Sequence, residues 1–315
     1  MKKIISLLFL SIFIFSSANA QDVNLTSFME KVESASLKYV ELFKNLTADE
    51  SKTITTFKKD GTTDSTRLIK SNFIVYQTEK EDKTSEFRMV YQQNGKAVLK
   101  SDADVVKFFE KLTKSDNAQE EFKRVKNESL RFDGNIRVWG VTLNQDFFFK
   151  SEVRKIFDYK FIEKTKINGR EIYVIEFRQK EYSPFILSNP TKEESQNSKG
   201  FEFNSPLSDS LKPTNPRMNG TMWLDAETAQ VWRINYEVSI NPANIGKSLL
   251  ITKSSYQYQP SKFGILTPSV ITISSHRVFG KKSNDVESKL FGTVVLKYSN
   301  FENIGSEIKD YKVGK

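Results

Sequence analysis

The last third of the chain alternates apolar and polar side chains, and this pattern leaves few folds open. Its clearest stretch places Trp232, Ile234 and Tyr236 on one face and charged, amide or hydroxyl side chains on the other. This two-residue period is typical of a strand with one dry face. Three further strands are predicted, at 249–259, 266–278 and 290–301. Consecutive antiparallel strands without intervening helices predict a strongly curled sheet, because a flat one would expose long edges.

The first part of the chain predicts one amphipathic helix followed by antiparallel strands. Apolar side chains recur at three- and four-residue spacing from Leu25 to Leu46, and Asn24 or Ser27 can cap this helix. The helix needs an apolar surface to cover. Strands that supply it are predicted at 53–58, 66–76 and 86–92.

The middle of the chain predicts helices and then a return to strands. Helical periodicity covers 101–112 and 118–130, and a shorter helical piece covers 144–149. The pair Asn168-Gly169 joins two strands as a hairpin, because both residues tolerate positive φ. The prediction is therefore an α+β fold: a strongly curled antiparallel sheet, an incomplete barrel, whose concave side is covered by the N-terminal and mid-chain helices.

One long irregular segment interrupts the strands at about 183–218. It is rich in Ser, Asn, Pro and Lys, and its part at 189–199 is nearly free of apolar side chains. Such a segment is usually a disordered insertion or a functional flap, and the composition favours a flexible insertion. Residues 21–315 are therefore predicted to form a single domain that carries it.

The first twenty residues have the layout of a cleaved secretory signal. Lys2 and Lys3 precede an apolar run at 4–15, and Ala18-Asn19-Ala20 precedes Gln21. The run is too short to span a membrane as a finished helix. The mature protein is expected to begin near Gln21, to be periplasmic or secreted, and to have no transmembrane anchor.

The composition argues against several classes of site. The chain has no cysteine and a single histidine, His276, which excludes thiolate zinc and histidine-rich metal sites. Its formal net charge of +9 is scattered, and export also argues against nucleic-acid binding. No phosphate-binding loop or dinucleotide motif is present, so no cofactor is expected. A hydrolase centred on His276 would lack a nucleophile elbow, and no catalytic residue is assigned.

Two groups of motifs resemble known secreted proteins. Residues 219–233, NGTMWLDAETAQVWR, resemble a recurrent hairpin of secreted bacterial proteins related to the lipoprotein carriers. The segments 66–73, 87–98 and 128–132 resemble, in order, an uncharacterised family of secreted envelope proteins. The resemblance implies the half-barrel of the lipoprotein-carrier (LolA/LolB-like) superfamily, an incomplete curled barrel with helices plugging its open side.

Five residues are candidates for ligand binding: Arg67, Arg88, Trp232, Ile234 and Tyr236. The last three share the dry face of one strand. Either arginine could correspond to the arginine that tethers the lid in the carriers. A buried guanidinium demands a carboxylate or several carbonyl partners.

Glu128 and Glu50 are candidate partners of Arg67. A structural ion pair is the favoured interpretation of this arginine, and contact with a ligand head group is the alternative. In the carrier-like hairpin, Asp225 and Thr228 are expected to build a tight turn.

The sequence thus favours a noncatalytic envelope protein that binds a lipid or lipoprotein acyl chain, or an apolar protein segment, in its concave interior. An interaction module of envelope assembly or stress sensing, with a solid core and an envelope protein as partner, is the alternative. A periplasmic hydrolase ranks last.

The signal pattern makes a direct prediction about processing. Because a small-x-small site precedes Gln21, the mature protein should begin at or near this residue and fractionate without membrane. N-terminal sequencing of protein exported by its own host would check this. An intact N-terminus on a membrane-embedded product would contradict it.

Overall fold

The computed structural model describes residues 23–44, 46–77, 84–98, 127–138, 140–181, 183–188, 201–203, 216–242, 245–280 and 285–303. The signal predicted at 1–20 and the segment 189–199 lie outside these residues. So do the helix predicted at 101–112 and most of the helix predicted at 118–130.

The longest described helix, α1, covers Leu25–Phe43, and the Oδ1 of Asn24 accepts the amide of Ser27 at 3.1 Å. Two short helices, α2 at Asn144–Phe149 and α3 at Ser151–Arg154, follow a 3₁₀ turn at Val141–Leu143. Asn24 is therefore the cap, and the helix predicted at 144–149 is confirmed. Among the described residues, no helix has the length and apolarity needed to cross a membrane.

The described residues form thirteen strands. These are β1 at Leu46–Phe57, β2 at Thr63–Gln77, β3 at Thr84–Gln93, β4 at Lys96–Ala97, β5 at Phe157–Ile167, β6 at Arg170–Gln179, β7 at Ile186–Ser188, β8 at Phe201–Phe203, β9 at Pro216–Asp225, β10 at Val231–Ile240, β11 at Leu249–Pro260, β12 at Leu266–Phe279 and β13 at Glu287–Asn303.

Eleven of these strands form one antiparallel sheet in the order β4-β3-β2-β1-β13-β12-β11-β10-β9-β6-β5. The sheet is curled but not closed, because β4 and β5 are not paired with each other. Strand β1 pairs with both β2 and β13, which brings the first and last strands together in the middle of the sheet. The predicted α+β fold, an incomplete curled barrel with an N-terminal helix, is confirmed.

The boundary between α1 and β1 differs from the prediction. The helix was expected to reach Leu46 and the next strand to begin at residue 53, whereas the helix ends at Phe43 and β1 begins at Leu46. Lys44 leaves the helical region with φ −56° and ψ 144°. Strand β1 therefore starts earlier and carries alternate side chains inward from Leu46 onwards, in a strict buried and half-buried alternation.

Helix α1 crosses the concave side of the sheet diagonally. Near its start, Phe28 contacts Tyr173 of β6 with the ring centroids 4.9 Å apart. At its end, Phe43 lies 6.4 Å from Phe73 of β2 and 5.9 Å from Phe301 of β13. The apolar face of α1 thus connects the two wings of the sheet, one containing β1, β2, β3 and β13 and the other β5, β6, β9 and β10, and covers the core between them.

The predicted insertion is anchored at its described ends. Strands β7 and β8 pair in parallel as a separate small sheet, and Ile186 and Phe201 are buried in the main core. Phe201 lies 4.4 Å from the ring of Phe147 in α2. The described ends of the segment are therefore part of the concave interior.

The turn between β9 and β10 is built on Asp225, as predicted. Its Oδ1 accepts the amides of Glu227 and Thr228 at 3.1 and 2.8 Å, and it also accepts Arg170 Nη2 at 3.0 Å. Burial alone would raise the pKa of Asp225, but Arg170 and the Thr228 amide hold it below its ordinary value. The indole of Trp232 adds a further donor at 3.4 Å.

This turn should make stability depend on pH. A carboxyl with a depressed folded pKa stabilises the fold above its unfolded pKa of about 4, and this contribution is lost as the pH falls further. We expect Asp225→Asn to lower the free energy of unfolding at pH 7 by about 1 to 3 kcal/mol. Urea unfolding of both proteins should show the difference narrowing below about pH 3.

The matched control for this measurement is Asp158→Asn. Asp158 is 74% exposed and lies 3.6 Å from Lys180, so its replacement should change stability little at either pH. A difference for Asp225→Asn that is the same at pH 7 and in acid would contradict the assignment.

Candidate functional site

The inward face at one wing of the sheet carries five buried ionisable side chains, which we call the charge cluster: Glu50, Lys52, Glu86, Arg88 and Asp133. Each of these side chains is at most 1% exposed. The cluster contains three carboxylates and two cations, so its net charge is −1 if every group is ionised. Burying a charged group away from water costs free energy unless the group is paired and hydrogen-bonded.

Strand geometry explains how these charges reach the interior. Glu50 and Lys52 lie on β1 between the inward-facing Ala48 and Ile54, so they share the buried face. In the same way, Arg88 of β3 faces Phe73 of β2 across the sheet. Alternate residues of a strand point to the same face of the sheet, so these charged residues lie on the face that is otherwise apolar.

Arg88 is the centre of the cluster. Its Nε donates to both carboxylate oxygens of Glu50, at 2.9 and 2.8 Å, and its Nη2 lies 3.1 Å from Glu86 Oε2. Nη2 also donates to Tyr298 Oη at 3.3 Å, and the guanidinium carbon lies 5.3 Å from the ring centroid of Phe73. Burial disfavours the charge, but Glu50, Tyr298 and Glu86 hold the pKa of Arg88 above its ordinary value.

Glu86 connects the sheet to the covering helices. Its Oε1 accepts the amide of Thr142 at 2.5 Å and the Thr142 hydroxyl at 2.6 Å. Thr142 lies in the 3₁₀ turn that leads into α2, so a carboxylate of β3 accepts amide and hydroxyl donors just before a helix start. The carbonyl of Thr142 accepts the Tyr39 hydroxyl of α1 at 3.0 Å. Sheet, α2 and α1 are thereby joined through one residue.

Lys52 and Asp133 form the second ion pair, with Nζ and Oδ1 2.6 Å apart. Burial lowers the pKa of Lys52, and the charge of Arg88 lowers it further. Burial likewise raises the pKa of Asp133 against the opposing effect of Lys52. The pair ties segment 127–138 to β1 from inside the barrel.

The other wing of the concave side is an aromatic interior formed by Phe148, Phe177, Phe201, Tyr236 and Tyr256. Phe148 of α2 lies 5.4 Å from the ring of Tyr236, 5.8 Å from Phe177 and 5.0 Å from Phe201. The hydroxyls of Tyr236 and Tyr256 are 3.2 Å apart, and Asn144 Nδ2 donates to Tyr256 at 2.9 Å. Burial raises the pKa of both tyrosines.

The structure brings only some of the predicted site residues together. Ile234 and Tyr236 lie in the core of the concave side, and Arg88 is in the charge cluster. Trp232 is buried beside a bulge of β10, where its indole serves the Asp225 turn. Arg67 is half-buried at the rim of the concave side and donates to the carbonyl of Phe132 at 3.3 Å.

The expected ion pair of Arg67 takes a different form. Glu50 is bound by Arg88, and Glu128 lies 2.9 Å from Arg131. Arg67 instead packs against the turn at 132–134, where a side chain on Gly134 would collide with its guanidinium. Its partner in the structure is a backbone carbonyl of the segment that plugs the interior.

No local pattern in the sequence predicts a cluster of Glu50, Lys52, Glu86 and Asp133. The signal in β1 is that Glu50 and Lys52 occupy the same alternate positions as Leu46, Ala48 and Ile54. Because this strand was predicted to begin only at residue 53, the two charges were not placed on its inward face. Asp133 lies in a turn far from both strands in sequence, so no local pattern could place it.

The single histidine lies on β12 next to a bulge. Burial lowers the pKa of His276, with Glu237 opposing and Lys253 adding to the shift.

No protein-family model and no curated protein matches the chain. Among solved structures, it is similar to a domain from Vibrio parahaemolyticus described as an outer membrane lipoprotein-sorting protein, at 12% identity over 89% of this chain and 94% of that one, with a TM-score of 0.35. It is also similar to a DUF1329 family protein from Desulfovibrio piger, at 10% identity over 89% and 94% of the two chains, with a TM-score of 0.34. The likeness to lipoprotein-sorting proteins that the sequence predicted is found again here, and no residue role is taken from it.

The charge cluster predicts how stability responds to its removal. Arg88→Met leaves Glu50 buried without its cation, which should cost about 3 to 5 kcal/mol in the free energy of unfolding. The double variant Glu50→Leu with Arg88→Met removes both charges and should be more stable than Arg88→Met alone. Urea unfolding at pH 7 measures both.

Arg131→Met is the control, because Arg131 and Glu128 form an exposed pair with side chains 62% and 57% exposed. Its effect should stay below about 1 kcal/mol. If Arg88→Met lowered the free energy of unfolding as little as Arg131→Met does, the charge cluster would not stabilise the packing of the helices on the sheet.

Proposed function

We propose that the protein is a noncatalytic envelope protein that takes up an acyl chain, or an apolar protein segment, on the concave side of its sheet. The observation that carries the proposal is the position of α1. This helix lies across the dry face from β6 to β2, and the rings of Phe28 and Phe43 occupy the surface that a ligand would use. Binding would exchange the apolar face of the helix for the ligand.

The described contacts of α1 suit such an exchange. Tyr39 Oη donates to Thr142, while Glu33 accepts the amide of Ser151 at 3.0 Å and lies 2.6 Å from Arg154. These polar contacts join α1 to the other covering segments. Several of its contacts with the strands are between aromatic rings. Helix α1 can therefore leave the sheet once its polar contacts with Thr142, Ser151 and Arg154 break, while the hydrogen bonds from Thr142 to Glu86 stay in place.

The free energy gained by burying an acyl chain on the sheet is comparable to that gained by burying the apolar face of α1 there. A saturated chain with about 14 methylenes gains about 11 kcal/mol on burial, at about 0.8 kcal/mol for each methylene. Burying the five large apolar side chains of α1 stabilises the closed state by about 7 to 15 kcal/mol, at about 1.5 to 3 kcal/mol each. These are Phe28, Met29, Val32, Tyr39 and Phe43. An acyl chain is thus large enough to compete with the helix.

A second candidate function is an interaction module of envelope assembly or stress sensing with a solid core. The observation that favours it is the filled interior, in which Phe148, Phe201 and Tyr236 are each at most 8% exposed. In this case the outer surface would bind an envelope protein and the helices would never leave the sheet. A hydrolase is not proposed, because the sequence around His276 lacks a nucleophile-elbow glycine pattern.

The two candidates predict opposite results for a variant that loosens α1. Phe28→Ala removes the ring that contacts Tyr173, so the helix should detach more easily. If the ligand binds where the helix lies, the apparent affinity for a fluorescent fatty acid should rise severalfold, because the competent state is more populated. Fluorescence titration of both proteins measures this.

Leu37→Ala is the matched control, since Leu37 is 53% exposed on the other face of α1. It should leave the affinity unchanged. If wild type and Phe28→Ala both remain folded by circular dichroism and neither binds the fatty acid, the solid-core module replaces the carrier-like function. Ile234→Glu, which puts a carboxylate on the same surface, should abolish binding, whereas Asn235→Glu on the opposite face should not.

A further inference from the structure

The Lys52 and Asp133 pair differs from an ordinary surface ion pair in its isolation from water. Nζ and Oδ1 are 2.6 Å apart, and both side chains are 1% exposed. An amine and a carboxyl group held together in a dry site are the two partners of an amide. Fixed proximity of this kind replaces the encounter step of a bimolecular reaction.

We propose that Lys52 and Asp133 react with each other to form an intramolecular isopeptide bond. The bond joins Nζ of Lys52 to Cγ of Asp133 and links strand β1 to segment 127–138. It forms after folding, because only the fold brings together two residues that are 81 positions apart.

The site shifts the pKa of each group toward the protonation state that the reaction needs. The nucleophile must be a neutral amine, and burial together with the charge of Arg88 lowers the pKa of Lys52. The electrophile must be a neutral carboxylic acid, and burial raises the pKa of Asp133. In a dry site, transferring the proton from Nζ to the carboxylate removes two buried charges at once.

The reaction balances without any co-reactant. Once the proton has moved from Nζ to Oδ1, the amine lone pair attacks Cγ and forms the new C–N bond. The bond from Cγ to Oδ1 then breaks, and the hydroxyl leaves with a second proton from Nζ as water. The product is a secondary amide that is lighter by one water molecule, about 18 Da.

A neighbouring backbone amide is placed to assist the attack. The amide of Val138 donates to Asp133 Oδ2 at 3.4 Å, the oxygen on which negative charge develops when the amine attacks. Glu50 lies on the same face of β1, but both of its carboxylate oxygens are bound by Arg88, so the second amine proton passes directly from Nζ to the leaving hydroxyl.

The bond would have a structural consequence for the concave side. Segment 127–138 places Ile136 against Gly292 of β13, where a side chain on the glycine would collide with it. A covalent link at Asp133 holds this plug in the barrel permanently. It also closes a long loop of the unfolded chain, which reduces the entropy gained on unfolding.

Mass spectrometry of the exported, full-length mature protein tests the proposal. The denatured protein should be about 18 Da lighter than its sequence, and digestion should yield a branched peptide containing Lys52 and Asp133. Lys52→Met and Asp133→Ala should have their full sequence masses. Lys44→Met, which removes the lysine of the Glu41 pair on α1, should still show the loss.

Two further variants keep the proposal falsifiable if Lys52→Met fails to fold. Asp133→Asn should form the same amide with loss of ammonia, about 17 Da, which a merely structural ion pair would not produce. Glu50→Gln should still show the mass loss, because it leaves Lys52 and Asp133 in place. A wild-type protein that is folded by circular dichroism and keeps its full sequence mass after days at 37 °C would overturn the proposal.

Discussion

The pairing of Arg88 with Glu50 and Glu86 is the interaction on which the arrangement of the concave side depends. All three side chains are fully buried, so none can exchange its partner for water. Glu86 extends the pairing to Thr142 and through it to Tyr39. Apolar contacts are not directional, so they alone would allow the helices several positions on the sheet. Buried charge-assisted hydrogen bonds are directional and therefore permit one position. The cluster therefore fixes where the helical layer sits.

Much of the fold could be predicted from the sequence because its strands carry local signals. The alternation around Ile234 and the pair Asn168-Gly169, with φ of 50° and 80°, specify strands and a hairpin without tertiary information. The candidate site could not be predicted in this way. Asp133 meets Lys52 only through the fold, and Arg67 selects a backbone carbonyl, which no side-chain pattern records.

The filled interior does not by itself decide between a carrier and a solid module. A ligand of the size of an acyl chain and the apolar face of α1 stabilise the same surface by similar amounts. In the proposed function, small changes in how tightly α1 packs on the sheet would shift the balance between closed and occupied states. The contacts of Phe28 and Phe43 at the two ends of α1 would then set this balance.

The pairing of β1 with β13 has a consequence for the order of folding. The middle of the sheet is made from the two ends of the chain, with Leu46 opposite Asn303. Such long-range pairing must close a very large loop before it gains any contact, so the central ladder is expected to form slowly and late. Until β13 arrives, β1 has β2 on one side and an open edge on the other, a state that is prone to aggregation. Protection of that edge of β1 is therefore needed until β13 has paired with it.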